Sequence, residues 1–293
     1  MYFLSTGHIL IYYEYIYKGN TDNTKDKTLE RCFGVKKLVS DCDWSYLQTL
    51  KSTQDPNVGI PRLVDLLELL VQPGAEGVWA FLDIKVFLLP SCSFCSWRML
   101  TSHQLDNPPS IMKKIADDLA TVTSSTPWTS RLVLGVWSAS YIPSCQTYLP
   151  SVPIAIICFD VSYARQILRI PNADIGFNIS QKMIMGPLGR GFVEEAKGKG
   201  RAVYAWTVNE RNLMGWCVRK GVDGIVTDFP EIAREVAEGW GGKNEGMQEK
   251  VRFGQKVEVW VLSALLLLFG WIFRKRFLGK VERVGVEVDG KSK

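Results

Sequence analysis

Val78-Trp79-Ala80-Phe81-Leu82-Asp83-Ile84-Lys85 is an apolar run that ends on two charges. It has the length of a strand and is apolar on both faces, which suits a parallel strand covered by helices. Side chains alternate with period two, so Asp83 and Lys85 point the same way at its C-terminal end. In a parallel α/β barrel that end faces the active site. An Asp there can hold a metal ion and a Lys can meet an anion. An ordinary strand-end ion pair would carry the same two residues.

Downstream, strands and helices alternate. Strand Arg131–Trp137 precedes a helical segment near Tyr141–Tyr148, and strand Val152–Cys158 precedes Tyr163–Leu168. Strand Ala173–Ile179 precedes a helix over about Gly191–Lys199, strand Ala202–Trp206 a helix over Glu210–Lys220, and strand Gly224–Thr227 a last helix from Pro230. With Val78–Lys85 these make six strands, each followed by a helix, the pattern of a parallel sheet. Upstream, Pro61 opens a helix carried by Leu63, Leu66, Leu67 and Leu70 and stopped by Pro73-Gly74. An eightfold barrel needs two more strand-helix units at the front. Residues 1–25 are irregular and do not supply them, and Lys37–Ser40 offers one short strand at most. Six strands alone would leave two open parallel edges.

Hydrophobic residues make up 46% of the 293, ample for a sizeable core. The net charge of +5 gathers near the C-terminus, where Arg274, Lys275, Arg276 and Lys280 follow an apolar run, so it does not argue for a nucleic-acid partner. Seven cysteines at irregular spacing favour reduced thiols in a cytosolic domain, and Cys92-Ser93-Phe94-Cys95 is a lone pair with no second half. No basic segment precedes the apolar residues of the first 25 and no small-residue cleavage site follows, so a signal peptide is not expected there.

The remaining boundaries follow from texture. The folded domain spans 26–238. Within it, residues 86–104 are Ser-, Cys- and Leu-rich with no period, and read as an irregular insertion whose codons can be those of a small retained intron. A polar linker covers 239–256. Val257–Phe273 carries one charge, Glu258, has Trp260 and Trp271 near its two ends, and is followed by a basic flank. This reads as a short transmembrane helix, 257–273, with a basic then polar tail over 274–293. The alternative is a helix that closes the domain. The membrane reading makes the protein tail-anchored, with its barrel in the cytosol and its anchor in the endoplasmic reticulum, the mitochondrial outer membrane or a lipid droplet.

Leu82-Asp83-Ile84-Lys85, Ala205-Trp206-Thr207-Val208-Asn209 and Gly221-Val222-Asp223-Gly224-Ile225-Val226-Thr227-Asp228-Phe229-Pro230, in this order and spacing, resemble the glycerophosphodiester phosphodiesterase family. Leu29-Glu30-Arg31-Cys32-Phe33-Gly34, Leu134-Gly135-Val136-Trp137 and Ser162-Tyr163-Ala164-Arg165-Gln166 are similar to its fungal phosphatidylglycerol phospholipase C branch. The resemblance implies an α/β fold of the (β/α)8 TIM-barrel type, here lacking the first two strand-helix units and carrying the C-terminal transmembrane helix. It implies a phosphoric diester hydrolase of lipid metabolism. The substrate would be a glycerophospholipid such as phosphatidylglycerol, cleaved to diacylglycerol and glycerol phosphate. The cofactor would be a divalent cation, Mg²⁺ or Ca²⁺, polarising the phosphate, with two histidines as general acid and base.

Carried over residue by residue, Asp83 matches a metal carboxylate, Lys85 a phosphate-facing lysine and Trp206 an aromatic wall of the site. Asn209 and Asp228 are expected to cap the helices that follow them. The departures are large. The chain has two histidines, His8 and His103, and neither matches a family position. Lys25 stands where the second catalytic histidine belongs, and no Glu-x-Asp pair precedes Asp26. No catalytic residue is therefore matched. Turnover is expected to be impaired, and the rival readings are a non-catalytic membrane-anchored remnant that binds lipid or a partner, and a mis-spliced version of an active enzyme.

Overall fold

A computed structural model of the chain describes residues 2–5, 8–11, 33–36, 44–51, 59, 61–84, 108–171, 173–240 and 251–277. Strand β3 (Ala80–Ile84) lies in the apolar run around Asp83. Beyond it come β4 (Leu132–Val136), β5 (Ile154–Cys158), β6 (Ile175–Ser180), β7 (Val203–Trp206) and β8 (Gly224–Thr227). All six pair in parallel and in chain order, forming a curled sheet of the barrel type. The expected alternation holds for each strand.

The edge of β8 is not open. Strands β1 (Tyr2–Ser5) and β2 (His8–Ile11) form an antiparallel hairpin, and β1 adds to β8 in antiparallel register, Tyr2 opposite Thr227 and Leu4 opposite Ile225. The eight-stranded order is β2-β1-β8-β7-β6-β5-β4-β3, and β2 comes alongside β3 at the other end. The hairpin thus stands between β8 and β3. Pairing gives the edge groups of β8 the hydrogen-bond partners that an exposed strand lacks.

Helix α1 (Trp44–Leu47) packs in a small cluster of its own, and the helices around the sheet are α2 (Leu63–Leu70), α3 (Pro108–Thr121), α4 (Ile142–Tyr148), α5 (Val161–Leu168), α6 (Gln181–Met185), α7 (Phe192–Lys197), α8 (Arg211–Lys220) and α9 (Pro230–Glu238). Alternation along the strands divides the sheet into two faces. Leu82, Leu134, Ile156, Phe177, Ile179, Val203 and Ala205 are buried in the main apolar core. Phe177 meets Phe192 of α7 edge to face, with ring centroids 5.2 Å apart. The other face lines the barrel. There Phe81 lies over Gly135, where a Cβ would come within 2.1 Å of its ring and 2.8 Å of Ile157 Cδ1, so only glycine fits. Tyr204 packs on Phe81 and Trp79 in the same interior, at 5.9 and 6.0 Å between centroids.

Two arginine arrangements hold the shell, one buried and one at the surface. The Arg131 guanidinium donates to the carbonyls of Val78, Leu70 and Ala75 at 2.7 to 2.8 Å, tying the end of α2 to the start of β3. Arg165 donates to the carbonyls of Leu188 and Arg190 and pairs with Glu195. The Ser162–Gln166 motif is therefore accounted for by packing between α5, the turn before α7 and α7 itself.

The C-terminal segment corrects the sequence reading. The single-pass membrane anchor expected over Val257–Phe273 is overturned: among the described residues no helix is long and apolar enough to cross a membrane. The cytosol-facing placement and the three candidate membranes rested on that anchor and go with it. Helix α10 (Phe253–Phe277) docks on the barrel instead. Val259 and Ser263 are buried against the turn after α6, and Gly186 is the glycine that permits this, since a Cβ there would lie 2.6 Å from Ser263 Oγ and 3.0 Å from Val259 Cγ1. Glu258, the one charge in the apolar run, pairs with Lys182 of α6. Gln255 accepts from Asn212 Nδ2 at 2.8 Å and donates to Glu210 at 2.9 Å. The helix is thus held to its own domain by a short buried stripe and a polar network, while Trp260, Val261, Leu267 and Leu268 on its other side are exposed.

Candidate functional site

Strand register decides what reaches the mouth of the barrel. Asp83 pairs with Gly135, Asn178 with Tyr204, and Ser180 with Trp206, so these residues share the inner face. Trp137 lies two residues past Gly135 and continues that face beyond the end of β4. Asp83, Trp137, Ser180 and Trp206 are all half-buried, in contrast to the fully buried helix-facing residues beside them.

These side chains form one connected corner. Trp137 Nε1 donates to Asp83 Oδ1 at 2.7 Å, and Trp206 Nε1 donates to the Asn178 carbonyl at 2.9 Å. The two indoles meet at 61° with centroids 5.6 Å apart. Each ring thus has its single polar atom satisfied and its orientation fixed. Below the corner Asn178 and Gln181 are 4% and 1% exposed, and among the described residues Asn178 Oδ1 and Gln181 Oε1 have no hydrogen-bond partner, a costly arrangement for buried amides. Burial raises the Tyr204 hydroxyl to about 12, with the charge of Asp223 adding to it. Deeper in the shell, burial likewise raises the Cys145 thiol to about 12 and pushes up Cys158 and Cys217, which are inert core thiols.

Of the three expected site residues, the structure brings Asp83 and Trp206 to the same mouth. Lys85 lies outside the described residues, as do Lys25, His103 and the 86–104 insertion with Cys92 and Cys95. His8 falls in β2. Asn209 and Asp228 do not cap the following helices as expected. Asn209 Nδ2 donates to Asp228 Oδ2 at 2.8 Å and its Oδ1 accepts from the Asp228 amide at 2.9 Å, lacing the ends of β7 and β8 together. The N-cap of α8 is Glu210, whose side chain makes no cap bond.

The sequence gives Trp137 only as part of a motif and does not single out Asn178 or Gln181. Trp137 had a signal, because it shares the parity of Gly135 at a strand end. Asn178 had another, a lone amide inside the apolar strand Ile175–Ser180.

The divalent cation implied by the resemblance does not fit these residues. Mg²⁺ and Ca²⁺ take six or more oxygens. Asp83 brings one carboxylate, one of whose oxygens accepts the Trp137 N–H. Among the described residues no three His, Cys, Asp or Glu side chains come together to hold a metal.

Comparison with known proteins gives a consistent answer. The family model described as the glycerophosphoryl diester phosphodiesterase family matches residues 24–232. A search of curated proteins finds no match. Among solved structures, the chain is similar to a phosphodiesterase of Oleispira antarctica in complex with the product sn-glycerol-3-phosphate. That pair is 16% identical, covers 72% of this chain and 76% of that chain, and has a TM-score of 0.55. A protein of Silicibacter pomeroyi assigned as a glycerophosphoryl diester phosphodiesterase is 19% identical, over 71% of this chain and 72% of that one, with a TM-score of 0.53. A glycerophosphoryl diester phosphodiesterase of Parabacteroides distasonis is 17% identical, over 77% and 74%, with a TM-score of 0.51. At these identities the structural likenesses speak for the fold.

Proposed function

The chain belongs to the glycerophosphoryl diester phosphodiesterase family, and from that premise we propose that it acts on glycerophosphodiesters, as a phosphoric diester hydrolase of lipid metabolism whose turnover is strongly reduced. The observation that carries this is the family match over most of the chain, with the strand ends of that domain opening on Asp83 and Trp206. The product-bound Oleispira antarctica relative supports glycerol phosphate as the released half. Likeness of the quoted motifs to the phosphatidylglycerol phospholipase C branch supports phosphatidylglycerol as the lipid, giving diacylglycerol and glycerol phosphate.

In this reading Trp206 walls the site, Lys85 faces the phosphate, and Asp83 occupies the place of a metal carboxylate. The reduction follows from chemistry. Losing positioned general acid and base groups costs about 10²- to 10⁴-fold, and both histidines of the chain lie away from the family positions. No step is routed through a metal, since the described donor set does not hold one.

The test is product release from two substrates by the purified full chain: glycerophosphoglycerol in solution and phosphatidylglycerol in vesicles. The expected result is glycerol phosphate above the protein-free rate with at least one of them. Release of neither glycerol phosphate nor diacylglycerol above that rate would leave the non-catalytic binding reading in possession.

A further inference from the structure

We propose that the outward face of α10 is a docking surface for an anionic lipid bilayer, on which the helix lies flat without crossing it. The pattern is one of side-chain exposure. Phe253, Val257, Val261, Leu265 and Leu268 recur at helical spacing with Trp260 beside them, and all six are exposed. Phe253, Trp260 and Leu268 are 81%, 65% and 71% exposed. Elsewhere among the described residues the exposed large hydrophobics are Trp44, Leu69 and Phe229, each on a separate element. Scattered single residues are ordinary surface, whereas a continuous apolar face on one helix marks an interaction site. The other side of α10 is already used, since Gln255 and Glu258 bond to Glu210, Asn212 and Lys182.

Charge selects the occupant. Glu258 is the one acid in Phe253–Phe277, and it is paired toward the barrel. Cations stand at both ends: exposed Arg252 and Lys256 around the start of the apolar face, and Arg274, Lys275 and Arg276 in the last turn. A second copy of α10 laid on the first, parallel or antiparallel, brings cationic ends together, and the helix holds no second acid to offset them. An anionic headgroup layer answers both ends at once, while the acyl region takes the apolar residues between them. Trp260 suits that boundary, where an indole body is buried and its N–H stays wet. The helix lies rather than spans, because Val259, Ser263 and Glu258 tie its other side to the barrel. Its attachment also has a direction. Lys182 and Gly186 follow the end of β6, and Glu210 and Asn212 follow the end of β7, the strand ends that open on the mouth. Docking of α10 therefore holds the mouth beside the lipid. In the phosphodiesterase reading, on which this last consequence alone rests, that is beside the substrate.

The test is cosedimentation of the full chain with sucrose-loaded vesicles of phosphatidylcholine, alone or with about 30% phosphatidylserine, an anionic lipid that is not the proposed substrate. Turnover of glycerophosphoglycerol is measured separately in solution. Saturable binding to the phosphatidylserine vesicles is expected, at least about 10-fold stronger than to phosphatidylcholine and weakened by added salt. Trp260→Glu combined with Leu268→Glu should weaken it at least about 10-fold, and Lys256→Gln about fivefold, with soluble turnover unchanged. These side chains are exposed, so urea melts should match the parent, and Lys256→Gln carries the test should the double variant misfold. Absence of binding to either vesicle, binding equal in parent and variants, or bound protein that alkaline carbonate fails to release overturns the proposal. So does a dimer of the parent that Trp260→Glu dissociates, since a second copy would then cover the face. Docking without turnover sinks the hydrolase reading and leaves this one standing, and turnover without docking does the reverse.

Discussion

The two faces of one sheet have opposite characters in this protein. The helix-facing side is sealed: Phe177, Ile179, Val203 and Ala205 have no exposed surface, and nearby the buried Arg131 guanidinium donates to three carbonyls. The lumen-facing side opens at its mouth, where Asp83, Trp137 and Trp206 are half-buried and the amide oxygens of Asn178 and Gln181 go unpartnered among the described residues. Stability therefore resides in the outer shell, and the proposed ligand chemistry in the mouth. A mutation should report which side it strikes.

The largest expected effect is Phe177→Ala, which empties a fully buried aromatic site against Phe192. It should cost about 3–5 kcal/mol, while Trp206→Leu at the mouth should cost about 1 kcal/mol or less. Paired urea melts check this, and equal costs would break the contrast. Arg131→Leu comes next. It strands three carbonyls in the shell, and an expected loss of about 2–4 kcal/mol should appear in the same melts.

Tyr163→Phe is smaller, about 1–3 kcal/mol, because the Tyr163 hydroxyl accepts from the Ala139 amide at 2.8 Å. It has a pH signature as well. Burial raises the Tyr163 hydroxyl to about 12, and that of Tyr204 likewise. The unfolded value is about 10, so the unfolded chain loses these protons first. Their contribution is whole below about pH 10 and is lost as pH rises toward 12. Melts between pH 9 and 12 should fall less steeply in Tyr163→Phe than in the parent. The smallest effect is local. Gly186→Val should push Val259 and Ser263 off the barrel, raising the rate of proteolytic cleavage within α10 while leaving the main unfolding transition near its original position.

The same contrast explains what could be read from sequence. The helix-facing side was legible, since short apolar runs punctuated by Gly, Pro and Asp mark each strand, and Gly224–Thr227 was placed to the residue. The antiparallel hairpin was not, because pairing of Tyr2–Ser5 with Gly224–Thr227 joins the two ends of the domain and leaves no local pattern. Helix α10 misled for a related reason. An apolar run looks alike whether it meets lipid or its own domain, and what distinguishes them here is Gly186, Asn212 and Lys182, all far away in the chain. At the mouth, Asp83 and Trp206 were legible through motifs. Their hydrogen-bond partners, the Trp137 indole and the Asn178 carbonyl, were not, because a hydrogen bond across strands is a fact of register.

The central claim is a family barrel whose mouth binds but hydrolyses poorly, and turnover measures it most directly. The rate of glycerol phosphate release from glycerophosphoglycerol is compared for this chain, its Asp83→Ala variant and a family member with both histidines and all metal carboxylates, each with Mg²⁺ or Ca²⁺ and with chelator. The account predicts that this chain runs at least about 10²-fold below the complete enzyme, and that neither chelator nor Asp83→Ala changes its rate by more than about twofold. A rate matching the complete enzyme, abolished by chelator and by Asp83→Ala alike, would contradict it.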